Sequence, residues 1–96
     1  MVDLGYAAKL RPCLVVSRQD PDAPRALVSL VPLTTAVRGG PYEAPLPKVP
    51  WLDAATVANV QGLMAVEERE LGRLRGTFKT EGLNGVRSAL RYLLEL

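Results

Sequence analysis

Arg11 and Thr34 are the two residues of this chain whose type and place suggest chemistry. Arg11 stands where a loop enters a β-branched apolar run, Leu14-Val15-Val16-Ser17. Thr34 stands with Thr35 at the end of a second such run, Ala26 to Thr34. If the two runs pair antiparallel, the start of one lies beside the end of the other, and Arg11 and Thr34 can face each other at one end of the sheet. A guanidinium is permanently charged and offers five donors in a planar fork matched to phosphate oxygens. A threonine hydroxyl beside it can donate to, or accept from, the same phosphate. Together they can clamp a phosphodiester and stabilise the charge that builds up as it is cleaved. RNA brings its own nucleophile, the 2′-hydroxyl, so the protein need not supply one. The competing explanation of the same residues is structural: a surface arginine and a strand-end threonine.

Composition narrows the alternatives. The 96 residues contain no histidine and one cysteine, Cys13. No intramolecular disulfide can form, and a Cys-rich or His-rich zinc site is excluded. The Ser-His-Asp and Cys-His triads and histidine acid–base chemistry go with them. Any catalysis here avoids the side chain that titrates nearest neutrality. Twelve Lys+Arg against ten Asp+Glu give a net charge of +2. The whole surplus lies in residues 1–48, which hold Lys9, Arg11 and Arg38, and this hints at an anion-facing surface there. With 48% apolar residues the chain can build one core, and a single domain over 1–96 is expected. No apolar run is long enough to span a membrane, and nothing at the N-terminus reads as a signal peptide. A cytoplasmic protein is the expectation.

The elements that must position the pair follow from pattern. Pro12 cannot donate to a ladder, so the first strong strand should begin near it. Gln19 to Pro24 and Arg38 to Pro41 are turn-rich. Tyr42 to Leu46 alternates as a third strand, and its prolines place it at an edge. Thr56 to Met64 reads as a fourth strand, with Gly62 marking a bulge or a close backbone approach. Glu67 to Leu71 suits a helical turn, and Gly72 to Phe78 a short returning strand. From Thr80 to Leu96 the residues Leu83, Val86, Leu90, Leu93 and Leu94 form one stripe of a 3.6-residue period. Thr80 is placed to cap that helix and Glu81 to favour its dipole, whereas Gly82 and Gly85 weaken its start by up to about 1 kcal/mol each relative to alanine. Short strands closed by one amphipathic helix imply a mainly β protein, a small barrel or sandwich with a helix packed on it.

These residues carry a resemblance. Arg11-Pro12-Cys13-Leu14-Val15-Val16-Ser17, followed by Leu30-Val31-Pro32-Leu33-Thr34-Thr35, resembles the paired signature of the MazF/PemK family. Pro41-Tyr42-Glu43-Ala44-Pro45-Leu46, Val57-Ala58-Asn59-Val60-Gln61 and Glu68-Arg69-Glu70-Leu71-Gly72 are similar to later segments of that family, in the same order, as is the leucine-striped C-terminus. The resemblance implies a small SH3-like β-barrel with a C-terminal α-helix, forming homodimers. It implies a toxin of a type II toxin–antitoxin system: an endoribonuclease that cleaves single-stranded RNA sequence-selectively without metal or other cofactor, leaves a 2′,3′-cyclic phosphate, and is neutralised by a cognate antitoxin. The antitoxin is expected to lay an acidic, partly disordered tail on the basic face in competition with RNA. The family's catalytic arginine falls on Arg11, and its catalytic threonine on Thr34.

Two features depart from the family pattern. The chain opens at Met1-Val2-Asp3-Leu4, so part of the first strand is expected to be missing. The segment Gly5 to Leu10 reads as a short loop without the glutamate many members carry there, so no carboxylate base is carried over from it. Around the pair, Lys9, Thr35, Arg38 and Gln61 are candidates for RNA contact, and Tyr6, Tyr42 and Trp51 can stack on unpaired bases. For each of the three aromatics the competing place is the core, and for Trp51 also a dimer interface. Cys13 is expected to be a buried small hydrophobe, and Arg73 and Arg75 to be solvated. The alternative function is a non-catalytic SH3-like module that binds RNA or peptide without cleaving it; a purely structural dimer is the third.

Overall fold

A computed structural model describes residues 2–6, 9–52 and 55–96, with side chains from Pro12 onward. Its strands are β1 (Val2–Tyr6), β2 (Lys9–Val15), β3 (Leu27–Thr34), β4 (Glu43–Pro45), β5 (Val57–Asn59), β6 (Met64–Glu67) and β7 (Leu71–Leu74), and its helix is α1 (Asn84–Leu94). All pairings are antiparallel, in the order β4-β5-β3-β2-β1-β7, with β6 also on β3. β4 lies at one edge, where its prolines do least harm to the ladder. Among the described residues the path from β4 to β7 is open, so the architecture is an antiparallel sheet with a C-terminal helix and not a closed barrel.

β3 organises the molecule because it is apolar on both faces. Successive side chains of a strand point to opposite sides, and both Leu30 and Val31 are fully buried. One face carries Leu14, Val31, Leu33, Ala44, Ala58 and Val60 under Val86 and Ala89 of α1. The other gathers Cys13, Leu30 and Val66, with Val28, Met64 and Leu71 around them. Full burial of a side chain such as Leu30, Val31 or Val60 contributes roughly 1.5–3 kcal/mol relative to exposure. Cys13 is 3% exposed, as its apolar strand led one to expect.

Several expectations change. The strand ahead of Leu14 starts well before Pro12: β2 begins at Lys9 and pairs with β1 from Val2↔Cys13 to Tyr6↔Lys9. Gly5 and Leu10 are therefore paired strand residues and not loop residues. β2 meets β3 only from Cys13 onward, so on that side no ladder has begun at Pro12. The residues of the first strand, Val2–Tyr6, form β1 between β2 and β7.

The single strand expected over Thr56 to Met64 is two strands. β5 pairs with the end of β3 (Leu33↔Ala58, Thr34↔Val57) and β6 with its beginning (Leu27↔Glu67 to Leu30↔Met64), separated by a 3-10 turn at Val60–Gly62. The break falls opposite Pro32, which has no N–H for a ladder. Gly62 packs on the Pro32 ring so closely that a Cβ would lie 2.5 Å from Cγ. The close approach read from the sequence at Gly62 is this contact.

The C-terminal helix is shorter than the stripe. Thr80–Leu83 form a 3-10 turn and α1 begins at Asn84, with Leu83 and not Thr80 preceding it and no side-chain cap at either start. Gly82 and Gly85 carry the weak helical propensity that shortens it. Leu83, Val86, Leu90 and Leu93 pack on the core, whereas Leu94 is 49% exposed. No described helix is long and apolar enough to cross a membrane.

Candidate active site

The β2–β3 register pairs Val15 with Leu30, Leu14 with Val31 and Cys13 with Pro32. Arg11 lies on β2 two residues before Cys13, and Thr34 on β3 two residues after its partner Pro32. The Arg11 and Lys9 side chains lie outside the described residues. Lys9 is opposite Tyr6, at the far end of the β1–β2 hairpin.

Thr34 is half-buried at the last position of β3 and forms a wall common to two cavities. The N–H of Ala36 donates to Thr34 Oγ1 at 3.0 Å, a local turn that ends the strand. With one lone pair so occupied, the hydroxyl keeps its own proton to donate.

The first cavity, about 560 Å³, is bounded by Pro12, Thr34, Thr35, Trp51, Thr56 and Arg75. Thr56 is the one buried polar residue among those described, 7% exposed. Trp51 is half-buried, and its ring packs on Phe78 with centroids 4.9 Å apart. The indole packs against the core, one of the places considered for it, and also lines the cavity.

The second cavity, about 510 Å³, lies on the other side of Thr34 and is bounded by Arg38, Gly39, Tyr42, Glu43, Asn59 and Gln61, among others. Its loop is held by one carboxylate. Glu43 accepts from the N–H of Arg38 at 3.0 and 3.2 Å and from that of Gly39 at 2.6 Å. Gly39 and Gly40 have φ of 83° and 98°, a conformation that glycine adopts without a Cβ penalty. The exposed Arg38 side chain is thereby carried by a fixed backbone. Asn59 Oδ1 accepts from the N–H of Gln61 at 3.1 Å and sets the turn that places Gln61 in this cavity.

Thus Thr34 and Thr35 share one cavity, and Thr34, Arg38 and Gln61 share the other. Three contributors escaped sequence reading: Glu43 as the clip of the Arg38 loop, Asn59 as the cap that orients Gln61, and Arg75 as a cavity residue. Arg75 is exposed and lines a concave site. The only trace it left in the sequence is its neighbour Gly76, a small residue where the tryptophan needs room. What gathers around Thr34 is a set of hydroxyl, amide and guanidinium donors, suited to phosphate oxygens and the edges of bases.

Residues 1–94 match the family described as PemK-like, MazF-like toxin of type II toxin–antitoxin system. A comparison with curated proteins finds no match. Among solved structures, an endoribonuclease in complex with its cognate antitoxin from a Mycobacterial species superposes with a TM-score of 0.85 at 24% identity, covering 99% of this chain and 90% of that one. Mycobacterium tuberculosis toxin MazF-mt6 gives 0.82 at 24% identity, covering 99% and 96%. The MazE–MazF complex (form II) from Deinococcus radiodurans gives 0.81 at 25% identity, covering 99% and 90%. With fold, motif order and family match in agreement, the chain belongs to the PemK-like, MazF-like toxins of type II toxin–antitoxin systems.

Proposed function

We propose that this toxin is an endoribonuclease that cleaves single-stranded RNA at selected sequences, using Arg11 and Thr34 as its catalytic pair. The observation that carries the reading is the position of Thr34, which lines two cavities rich in hydrogen-bond donors; the β2–β3 register, continued past Cys13↔Pro32, supports Arg11 as its partner. Family membership supports the reading, as do similar folds described as endoribonucleases.

The reaction follows from these groups. The RNA 2′-oxygen attacks the adjacent phosphorus, the bond to the 5′-oxygen breaks, and a 2′,3′-cyclic phosphate remains. The 2′-hydroxyl loses its proton and the departing 5′-oxygen gains one, with Arg11 and water taking part in the transfer. Thr34 donates to a non-bridging oxygen and fixes the phosphate, while Arg11 offsets the charge that grows on it. An arginine and a hydroxyl supply this stabilisation without a metal. Thr35, Arg38 and Gln61 flank the phosphate along the two cavities and would hold neighbouring nucleotides, with Lys9 contributing from the hairpin.

The protein acts as a homodimer in the cytoplasm and is restrained by an antitoxin; two of the similar structures are complexes with antitoxins. Its sheet coils toward the SH3-like barrel, a reading supported by β3, which serves β6 with one half and β5 with the other. Incubation with mixed-sequence single-stranded RNA in EDTA tests the function. Discrete cuts are expected, and RNA left intact after long incubation overturns the reading.

A further inference from the structure

The cavity bounded by Trp51 has a wall that the cleavage step does not use. Trp51 is the chain's single tryptophan. Its indole is fixed in place: a Cβ on Gly76 would lie 2.5 Å from Cε2, and Phe78 packs against the ring at 58°. Arg75, the residue before Gly76, lines the same cavity, as do the buried Thr56 and, toward the cleavage site, Thr35 and Thr34. An immobilised aromatic, a cation and hydroxyls around a concavity of about 560 Å³ are the parts of a small-ligand pocket. Single-stranded nucleic acids are held by this combination, bases on aromatic rings and phosphates on cations.

We propose that this cavity is a subsite for one nucleotide flanking the scissile phosphate, in which an unpaired base stacks on Trp51 and Arg75 takes the adjoining phosphate. The proposal rests on the cleavage reading above, because Thr34 is the wall the subsite shares with the reacting phosphate. Thr56 and Thr35 offer hydroxyls to the edge of the stacked base. The subsite therefore contributes to the choice of sequence as well as to affinity.

Because Trp51 is the only tryptophan, its emission reports on the subsite directly. The probe is a short single-stranded RNA with one 2′-deoxy nucleotide at the mapped cut, or the unmodified RNA if no cut occurs. Titration is expected to quench Trp51. Arg75→Gln, an exposed position, is expected to raise Kd about tenfold, the loss of about 1.4 kcal/mol. Trp51→Phe, which keeps a ring beside Phe78, is expected to change the ranking of sequences cut. Thr34→Ala is expected to retain quenching while losing cleavage. RNA that is cut and bound with unchanged Trp51 emission, and with Arg75→Gln behaving as wild type, overturns the subsite and leaves the cleavage reading standing. Quenching by RNA that is never cut overturns the cleavage reading and, with it, the place of the subsite beside a scissile phosphate. RNA neither cut nor bound overturns both.

Discussion

The carboxylate of Glu43 accepts the backbone N–H of Arg38 with both oxygens, at 3.0 and 3.2 Å. A negative group thus stands inside a cavity proposed to hold RNA, where electrostatics alone would have it repel the ligand. Its effect is to shape the loop that presents Arg38. Glu43→Ala is expected to weaken RNA binding several-fold although it removes a negative charge, and to lower stability by about 1 kcal/mol, as for a solvent-accessible hydrogen-bonded group. Binding titrations and urea unfolding check this. Tighter binding by the variant would show that charge outweighs loop shape.

Gly62 and Pro32 form the contact on which the division of the fourth strand depends. In Gly62→Ala the new methyl would meet Pro32 Cγ at 2.5 Å and Cδ at 2.7 Å. Overpacking of this kind costs about 1–3 kcal/mol, and at this chain length each 1 kcal/mol lowers Tm by about 4–8 °C. Thermal unfolding should therefore show a fall of several degrees or more. An unchanged Tm would mean that the turn at Val60–Gly62 shifts without cost.

Val86 and Leu94 belong to the same apolar stripe in sequence but not in the fold. Val86 is 2% exposed against the sheet, and Leu94 is 49% exposed. Val86→Ala is expected to destabilise by about 1–3 kcal/mol through lost burial and the cavity left behind. Leu94→Ala is expected to stay within about 0.5 kcal/mol. Urea unfolding midpoints separate the two, and equal losses would contradict this placement of the helix.

The sequence made the main architecture legible where one physical rule dominated. β-branched runs announced β2 and β3 and their antiparallel pairing. The helical stripe located the face that covers the core. What stayed hidden depends on contacts between distant residues. Gly62 marked a bulge or close approach within Thr56 to Met64 but not a division into two strands, because the Pro32 it packs on belongs to another strand. Leu94 satisfies the helical period but is left 49% exposed by the packing of the helix. Glu43, Asn59 and Arg75 read as ordinary polar residues until folding sets each beside a cavity.

With the RNA 2′-hydroxyl as nucleophile and Arg11 and Thr34 acting on its phosphate, mass analysis of the 3′ ends formed in EDTA is expected to find 2′,3′-cyclic phosphate from the wild type, none from Arg11→Ala or Thr34→Ala, and no cut where the nucleotide before the scissile bond is 2′-deoxy. Linear phosphate or hydroxyl ends formed from the outset, or cleavage at the 2′-deoxy position, would contradict this mechanism.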